Sequence, residues 1–298
     1  MILSSILIDN ILTAPVIAFV VALIATLLRF DLRIPDALYP ILSTFLLLAI
    51  GIKGGKALSE SSPAELWQPL LASIAIGVIT PLIAYALFRK TAKLDITNAA
   101  ALAAHYGSVS AVTFTVLLST LDSQKITYEG YVSGLLAVLE IVGIVVALFL
   151  AHKFSADTDW KSGLSEVVRG KSIAFLVAGL LIGIIVGPDR LSPTDPLFVG
   201  LFSGALTLFL IELGSIAANR LRDLDGAGLR VVILGIVVPL INGSIGAVLG
   251  STAGMSGGGV AVMATLAASA SYIAAPAAIR IALPDANPGI YVTASLGI

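Results

Sequence analysis

Two short stretches carry residue types that could do chemistry in an otherwise apolar chain. Ala104-His105-Tyr106-Gly107-Ser108-Val109-Ser110-Ala111-Val112-Thr113 and Ala268-Ser269-Ala270-Ser271-Tyr272-Ile273-Ala274-Ala275-Pro276 place hydroxyls and small residues, with one proline, at matching depth in two hydrophobic segments. That composition suits helices interrupted in mid-membrane. An interruption frees backbone N–H groups at the start of the second half-helix, whose positive end attracts a small anion, while the carbonyls ending the first half suit a sodium ion. Serine and threonine complete either shell without adding a fixed charge, and Gly107 leaves room for an anion to approach the backbone. The competing reading is that small and hydroxyl residues only let helices pack closely. It is preferred for any single serine, and the site reading is preferred for the matched pair.

Two carboxylates, Glu140 and Glu212, lie deep in apolar segments. A charge buried in lipid costs several kcal/mol, so such groups face a cavity, pair up or stay protonated. Glu140 is the better candidate for a cation-coupling or gating group, against a structural role as a protonated, hydrogen-bonded side chain. His105 is read as structural. Lys53, Lys56 and Arg280 fall near membrane boundaries, where long side chains can snorkel to water. Gly179-x3-Gly183-x3-Gly187 and Gly246-x3-Gly250-x3-Gly254 are read as small-residue packing faces without chemistry.

The elements that must position these residues follow from composition. The chain has 298 residues, 58% hydrophobic and 12% charged, against about 25% charged in an ordinary soluble domain. A water-soluble fold could not cover itself with so few polar groups. The 17 basic and 18 acidic residues nearly cancel, so nothing points to nucleic acid. With no cysteine, disulfides, thiol catalysis and zinc-cysteine sites are excluded. No His/Asp/Glu cluster has metal-ligand spacing, no Gly-rich loop follows a strand and no G-x-S-x-G elbow occurs, so catalysis is not expected.

A spanning helix needs roughly 20 mostly apolar residues. Ten such stretches lie near 11–28, 37–52, 67–88, 97–120, 132–151, 171–187, 197–217, 229–251, 258–280 and from 288 onward. The first is read as a span and not a cleaved signal peptide, because Met1 to Ser5 holds no basic residue and the apolar run continues to Leu28. The last has only about ten residues, half of what a bilayer requires, and is read as an incomplete helix. With the N-terminus outside, thirteen Lys and Arg fall in inner loops, among them Arg29, Arg89, Lys153, Arg169 and Arg222, against four, Lys53, Lys56, Lys125 and Arg190, in outer ones. Basic residues are retained in the cytoplasm, so both termini are expected outside.

The chain also repeats itself. Ile17-Ala18-Phe19-Val20-Val21-Ala22 recurs as Ile173-Ala174-Phe175-Leu176-Val177-Ala178, Leu102-Ala103-Ala104 as Leu266-Ala267-Ala268, and Gly130-Tyr131-Val132-Ser133 as Ile290-Tyr291-Val292-Thr293. Five spans per copy is an odd number, so the second copy is inverted, as in many secondary transporters. The expected fold is therefore all-α and polytopic: ten transmembrane helices in two inverted five-helix repeats, residues 1–151 and 171–298, joined by a cytoplasmic loop at 152–170, with the fourth and ninth helices interrupted.

Gly107-Ser108-Val109-Ser110-Ala111-Val112-Thr113, Ala267-Ala268-Ser269-Ala270-Ser271 and Leu283-Pro284-Asp285-Ala286-Asn287-Pro288 together resemble the cyanobacterial sodium-dependent bicarbonate transporter superfamily. Gly51-Ile52-Lys53-Gly54-Gly55 and Val238-Pro239-Leu240-Ile241-Asn242-Gly243 resemble it more loosely. The resemblance implies a mobile core domain working against a gate domain, a homotrimer, and import of bicarbonate with sodium across the plasma (inner) membrane. It places the anion near Gly107, Ser108, Val109, Ser110, Ser269, Ala270 and Ser271. Sodium falls near Ser110, Thr113 and Ser271, to which the burial argument above adds Glu140, and no cofactor is implied beyond sodium as coupling ion. Where the family usually has Asp after the second serine run this chain has Tyr272, with Ala274-Ala275 in place of Ser-Gly, and Ala111-Val112 stands where Gly-Ser is usual. The resemblance also raises a PII-like signalling protein as partner, which the short 152–170 loop does not support. Two other functions fit the same residues: transport of another small carboxylate, and a membrane sensor or scaffold that keeps the fold without transporting.

Overall fold

The computed structural model describes residues 14–32, 34–35, 37–154, 165, 169, 171–222, 228–271, 274–287, 290–291 and 294–295. Most of the 152–170 loop, Tyr272 and most of the expected last span lie outside these. Eleven α-helices are built from the described residues: α1 Ala14–Leu27, α2 Leu38–Ser59, α3 Pro63–Lys90, α4 Ile96–Gly107, α5 Ala111–Ser123, α6 Val132–Phe154, α7 Lys171–Leu191, α8 Phe202–Arg222, α9 Leu229–Thr252, α10 Gly257–Ala268 and α11 Ala274–Ala282. No strand occurs among them. Helices dominate because lipid offers a backbone no hydrogen-bond partner, and only a helix satisfies its own groups within one segment.

Seven stretches are long and apolar enough to cross a membrane: Leu38–Lys56, Ala64–Lys90, Ile96–Ser123, Val132–Phe154, Ala174–Thr194, Pro196–Asn219 and Leu229–Thr252. The Ile96–Ser123 stretch is one span made of two helices. The other described apolar helices, Ala14–Leu27 and Gly257–Ala268, are shorter. Surface chemistry agrees with a lipid environment: Ile185, Leu229, Leu240 and Val248 are each more than 60% exposed, an apolar display that water does not tolerate over a large patch.

The helices pack in two groups. In one, α2 lies along α7, α1 along α8, and α8 also touches α2. The α2–α7 seam is bare backbone. A Cβ on Gly51 or Gly55 would run into α7 at Gly179 and Gly183, and the reverse holds for those two. The other group holds α3, α4 and α6 against one another and α9 against α10 and α3. The groups meet through α2 on α6, α7 on α6, and α5 on α8.

The two glycine triplets are only partly packing faces. Gly179 and Gly183 meet α2, and Gly246 and Gly250 meet α10, but Gly187 and Gly254 have φ +75 and no close packing partner. Gly187 marks a kink within α7, and Gly254 follows the last turn of α9, capped at Ala253. A left-handed φ costs a side-chain-bearing residue energy that glycine avoids.

The deep carboxylate of Glu212 on α8 is half-buried and accepts a hydrogen bond from the Ile34 amide at 3.0 Å, in the α1–α2 connection. It serves a loop amide. The boundary lysines, expected to snorkel, instead find carboxylates: Lys53 pairs with Asp122 at 2.7 Å and Lys56 with Asp195 at 2.6 Å. The first pair ties α2 to α5 across the two groups, with the Tyr128 hydroxyl completing it at 3.2 Å from the amine.

Candidate transport site

The first interruption is built at the end of α4. The last four carbonyls of a helix lack intrahelical donors, and here three of the four are met by donors outside the helical ladder. Ala104 O accepts from the Ser108 hydroxyl at 2.8 Å, His105 O from Ser271 N at 2.9 Å and Tyr106 O from Asn242 Nδ2 at 3.2 Å. The Thr80 hydroxyl stands 3.4 Å from Gly107 O, but its one proton goes to Ile76 O at 2.8 Å. Ser108 then turns to extended backbone, and Ser110 caps α5 by accepting from Thr113 N at 3.1 Å. Serine is a preferred cap because its oxygen reaches an orphan amide of the first turn.

The second interruption follows α10. Ser269 donates its hydroxyl to Leu266 O at 2.9 Å, closing the helix end. The same oxygen accepts from Ser110 N at 2.9 Å. Ser271 completes the junction. Its amide bonds His105 O, its carbonyl accepts from His105 Nδ1, and its hydroxyl accepts from Ala275 N at 3.3 Å at the head of α11. The two breaks are therefore stitched together by three hydrogen bonds, and Ser108, Ser110, Ser269 and Ser271 are all buried. A carbonyl only accepts, so Nδ1 of His105 carries the proton and Nε2 keeps its lone pair. That Nε2 is buried without a partner. His105 also stacks on Tyr291, with ring centroids 5.1 Å apart.

Close packing fixes the first break against its neighbours. A Cβ on Gly107 would strike Pro81 of α3, and one on Gly143 of α6 would strike the Gly107 carbonyl itself. The side of Gly107 expected to admit an anion is thus filled by Pro81, and glycine here lets α4 close on α3. Glu140 is buried in α6, three residues before Gly143. Residues three apart share a helix face, so Glu140 lies on the face of α6 that Gly143 turns to α4.

Open space runs along α5 on the side facing the other helix group. Beside its first turn a cleft of about 10 Å³, barely room for one water, is lined by Ser43, Leu46, Ala111, Val112, Thr115 and Phe209. A second, about 280 Å³, lies between α5, α1 and α8 and includes Thr113. A third, about 160 Å³, ends at Lys53 and Asp122 and is edged by Ser119, Ser133 and Ser203. The start of α5 therefore borders space, whereas the end of α4 is enclosed.

Among the residues singled out in the sequence, Gly107, Ser108, Val109 and Ser110 meet Ser269 and Ser271 in one buried junction, with Ala270 half-buried beside it. Thr113 stands apart on the cavity side, one turn into α5. Thr80 and Asn242 were missed. Their signal is another internal match, Thr80-Pro81-Leu82-Ile83 against Val238-Pro239-Leu240-Ile241 followed by Asn242. Among the described residues no group of three or more His, Asp or Glu could hold a metal ion.

The sequence model of the Na+-dependent bicarbonate transporter superfamily matches residues 14–298. No curated protein matches the chain.

Proposed function

This chain belongs to the Na+-dependent bicarbonate transporter superfamily, and from that membership we propose that it imports bicarbonate or a similarly small anion together with sodium, by alternating access. One observation carries the reading: two helix interruptions, far apart in sequence, lie buried back to back with Ser110 N on the Ser269 hydroxyl. Half-helix ends gathered in this way offer N–H dipoles to an anion and carbonyls to a cation. The anion sits at the head of α5 among Ser108, Val109, Ser110, Ser269, Ala270 and Ser271, while Gly107 lets α4 close on Pro81. Sodium uses Ser110, Thr113, Ser271 and Glu140.

The group containing α3, α4, α6, α9 and α10 moves as a core against the α1, α2, α7 and α8 gate. Cavities along α5 lie on the seam between them, and the Lys53–Asp122 pair crosses it. The architecture is ten helices in two inverted repeats, residues 1–151 and 171–298, joined by a cytoplasmic loop. Cross-pairing supports this: the first helix of each half, α1 and α7, packs on the second helix of the other, α8 and α2. The protein is a homotrimer in the plasma (inner) membrane with both termini outside, and the short 152–170 loop gives a PII-like partner no support. The deciding experiment is uptake of radiolabelled bicarbonate into vesicles with and without a sodium gradient. Accumulation driven by sodium is expected, and uptake indifferent to sodium would defeat the coupling.

A further inference from the structure

We propose that the side-chain oxygen of Asn242 on α9 is a ligand of the coupling cation, held at the C-terminal end of α4. This rests on the sodium-coupled reading above and adds to it a residue that reading does not use. Asn242 is fully buried. Its Nδ2 donates to Tyr106 O at 3.2 Å, and because a carbonyl cannot donate, the reversed amide would set oxygen against oxygen. The orientation is therefore fixed, and Oδ1 is left as a buried acceptor without a partner. A stranded buried acceptor is costly, so the position implies something that fills it.

The surroundings decide what that is. Tyr106 O and Gly107 O form the negative end of α4, and each carbonyl keeps a second lone pair. Pro81 has no N–H to give to Gly77 O, four residues earlier on α3, and Gly77 packs against Val142 and Gly143 of α6 beside the same junction. Glu140 stands three residues from Gly143 on the same helix. Oδ1 and the carbonyls at the end of α4 are acceptors, which repel an anion and suit a hard cation that takes oxygen ligands. Asn242 reaches the place because the next residue, Gly243, packs on Ala268 at the end of α10, bringing α9 to both breaks at once. A neutral amide adds a ligand without leaving a bare charge when the cation departs. Filling the site joins α9, α4 and α6, which is how a cation bound first would order the junction for the anion.

The test separates Oδ1 from Nδ2. Asn242→Ala removes both, whereas Asn242→Asp keeps the acceptor and removes the donor to Tyr106 O. Purified protein is melted in sodium chloride and in choline chloride, and sodium half-saturation of bicarbonate uptake is measured in vesicles. Wild type should melt higher in sodium, Asn242→Ala should lose that response with half-saturation raised roughly tenfold or more, and Asn242→Asp should keep it. Equal losses in the two variants would show that Asn242 acts only through Tyr106, and would overturn the proposal. So would a raised half-saturation for bicarbonate with that for sodium unchanged, which would make Oδ1 an acceptor for the anion's hydroxyl. Should Asn242→Ala not fold, Asn242→Asp decides alone: a retained sodium response supports the ligand role and a lost one overturns it. A wild type whose melting and uptake both ignore sodium defeats the parent reading, whereas a sodium-responsive wild type with an unaltered Asn242→Ala defeats only this inference.

Discussion

The two interruptions are alike in sequence and unlike in how they are held. At the end of α4 three carbonyls are met by donors from α9, Ser108 and the second break, and Gly107 is pressed between Pro81 and Gly143. At the end of α10 the closure is local, through the Ser269 hydroxyl on Leu266 O. The partner helix also fits closely there, but against side chains at the break itself: a Cβ on Gly243 would sit 3.1 Å from the Ala268 methyl, whereas one on Gly143 would overlap the Gly107 carbonyl. Among the described residues, the hydrogen bonds that the second break makes to other helices go to the first, through Ser269 and Ser271. Matched segments thus divide the labour, one a clamped frame and the other a segment docked onto it.

The largest expected effect tests that asymmetry directly. Gly143→Ala drives a methyl into the Gly107 carbonyl, an atom the clamped frame cannot shift, and should cost about 3 kcal/mol or more. Gly243→Ala meets the Ala268 methyl at 3.1 Å and the Ala264 carbonyl at 3.4 Å, a tight fit set against about 1 kcal/mol of regained helix propensity, so its loss should be well below that of Gly143→Ala. Thermal unfolding of the solubilised protein, followed by circular dichroism, checks both. Equal losses would erase the distinction between a clamped and a docked break.

A middle-sized effect concerns the joint. Ser269→Ala leaves Ser110 N buried without its acceptor and should cost about 1 to 3 kcal/mol of stability. Ser108→Ala gives up one bond to the carbonyl four residues back, about 1 kcal/mol or less. Uptake kinetics sharpen the contrast. If the anion lies at the head of α5, Ser108→Ala and Ser110→Ala should each weaken its apparent affinity by about 1 to 2 kcal/mol. Wild-type kinetics in both would make the junction a packing seam and nothing more.

Much of this was legible in the sequence because lipid makes hydropathy decisive. The long helices follow the apolar runs, and the hydroxyl-rich segments mark where both helices break. What was not legible depends on partners brought from elsewhere in the chain. Gly107 reads as room for a ligand, yet only the fold sets Pro81 against it. Lys53 and Lys56 read as snorkelling side chains, yet the fold brings Asp122 and Asp195, distant in sequence, to them. Thr80 and Asn242 sit among apolar neighbours in proline-bearing helices, and nothing local shows that they face the end of α4. The final glycines of the two triplets keep the four-residue spacing of packing faces, and only their positive φ shows that they end or kink a helix.

The smallest effect lies where the two interrupted helices begin. Asp95 caps α4, accepting from the Asn98 amide at 2.8 Å and the Asn98 side chain at 2.6 Å. Ser256 caps α10 by accepting from Gly259 N at 3.1 Å, and the Glu129 carboxylate backs it by accepting from Ser256 N at 2.5 Å. Losing a cap costs about 1 kcal/mol, so Asp95→Ala should lose about that much. Ser256→Ala should lose less, since Glu129 still takes the amide of residue 256. Acid separates the two further. Burial pushes the Asp95 carboxyl up, but the bonds from Asn98 outweigh it and hold the group below its ordinary value. A carboxylate held low in the folded state stabilises fully above its unfolded pKa, about 4, and loses that contribution as pH falls through the folded one. The difference in melting midpoint between wild type and Asp95→Ala should therefore be full at pH 7 and shrink as the pH is taken from 4 toward 2. A difference that stays constant over that range would mean that Asp95 supports α4 by packing and not by the charge on its cap.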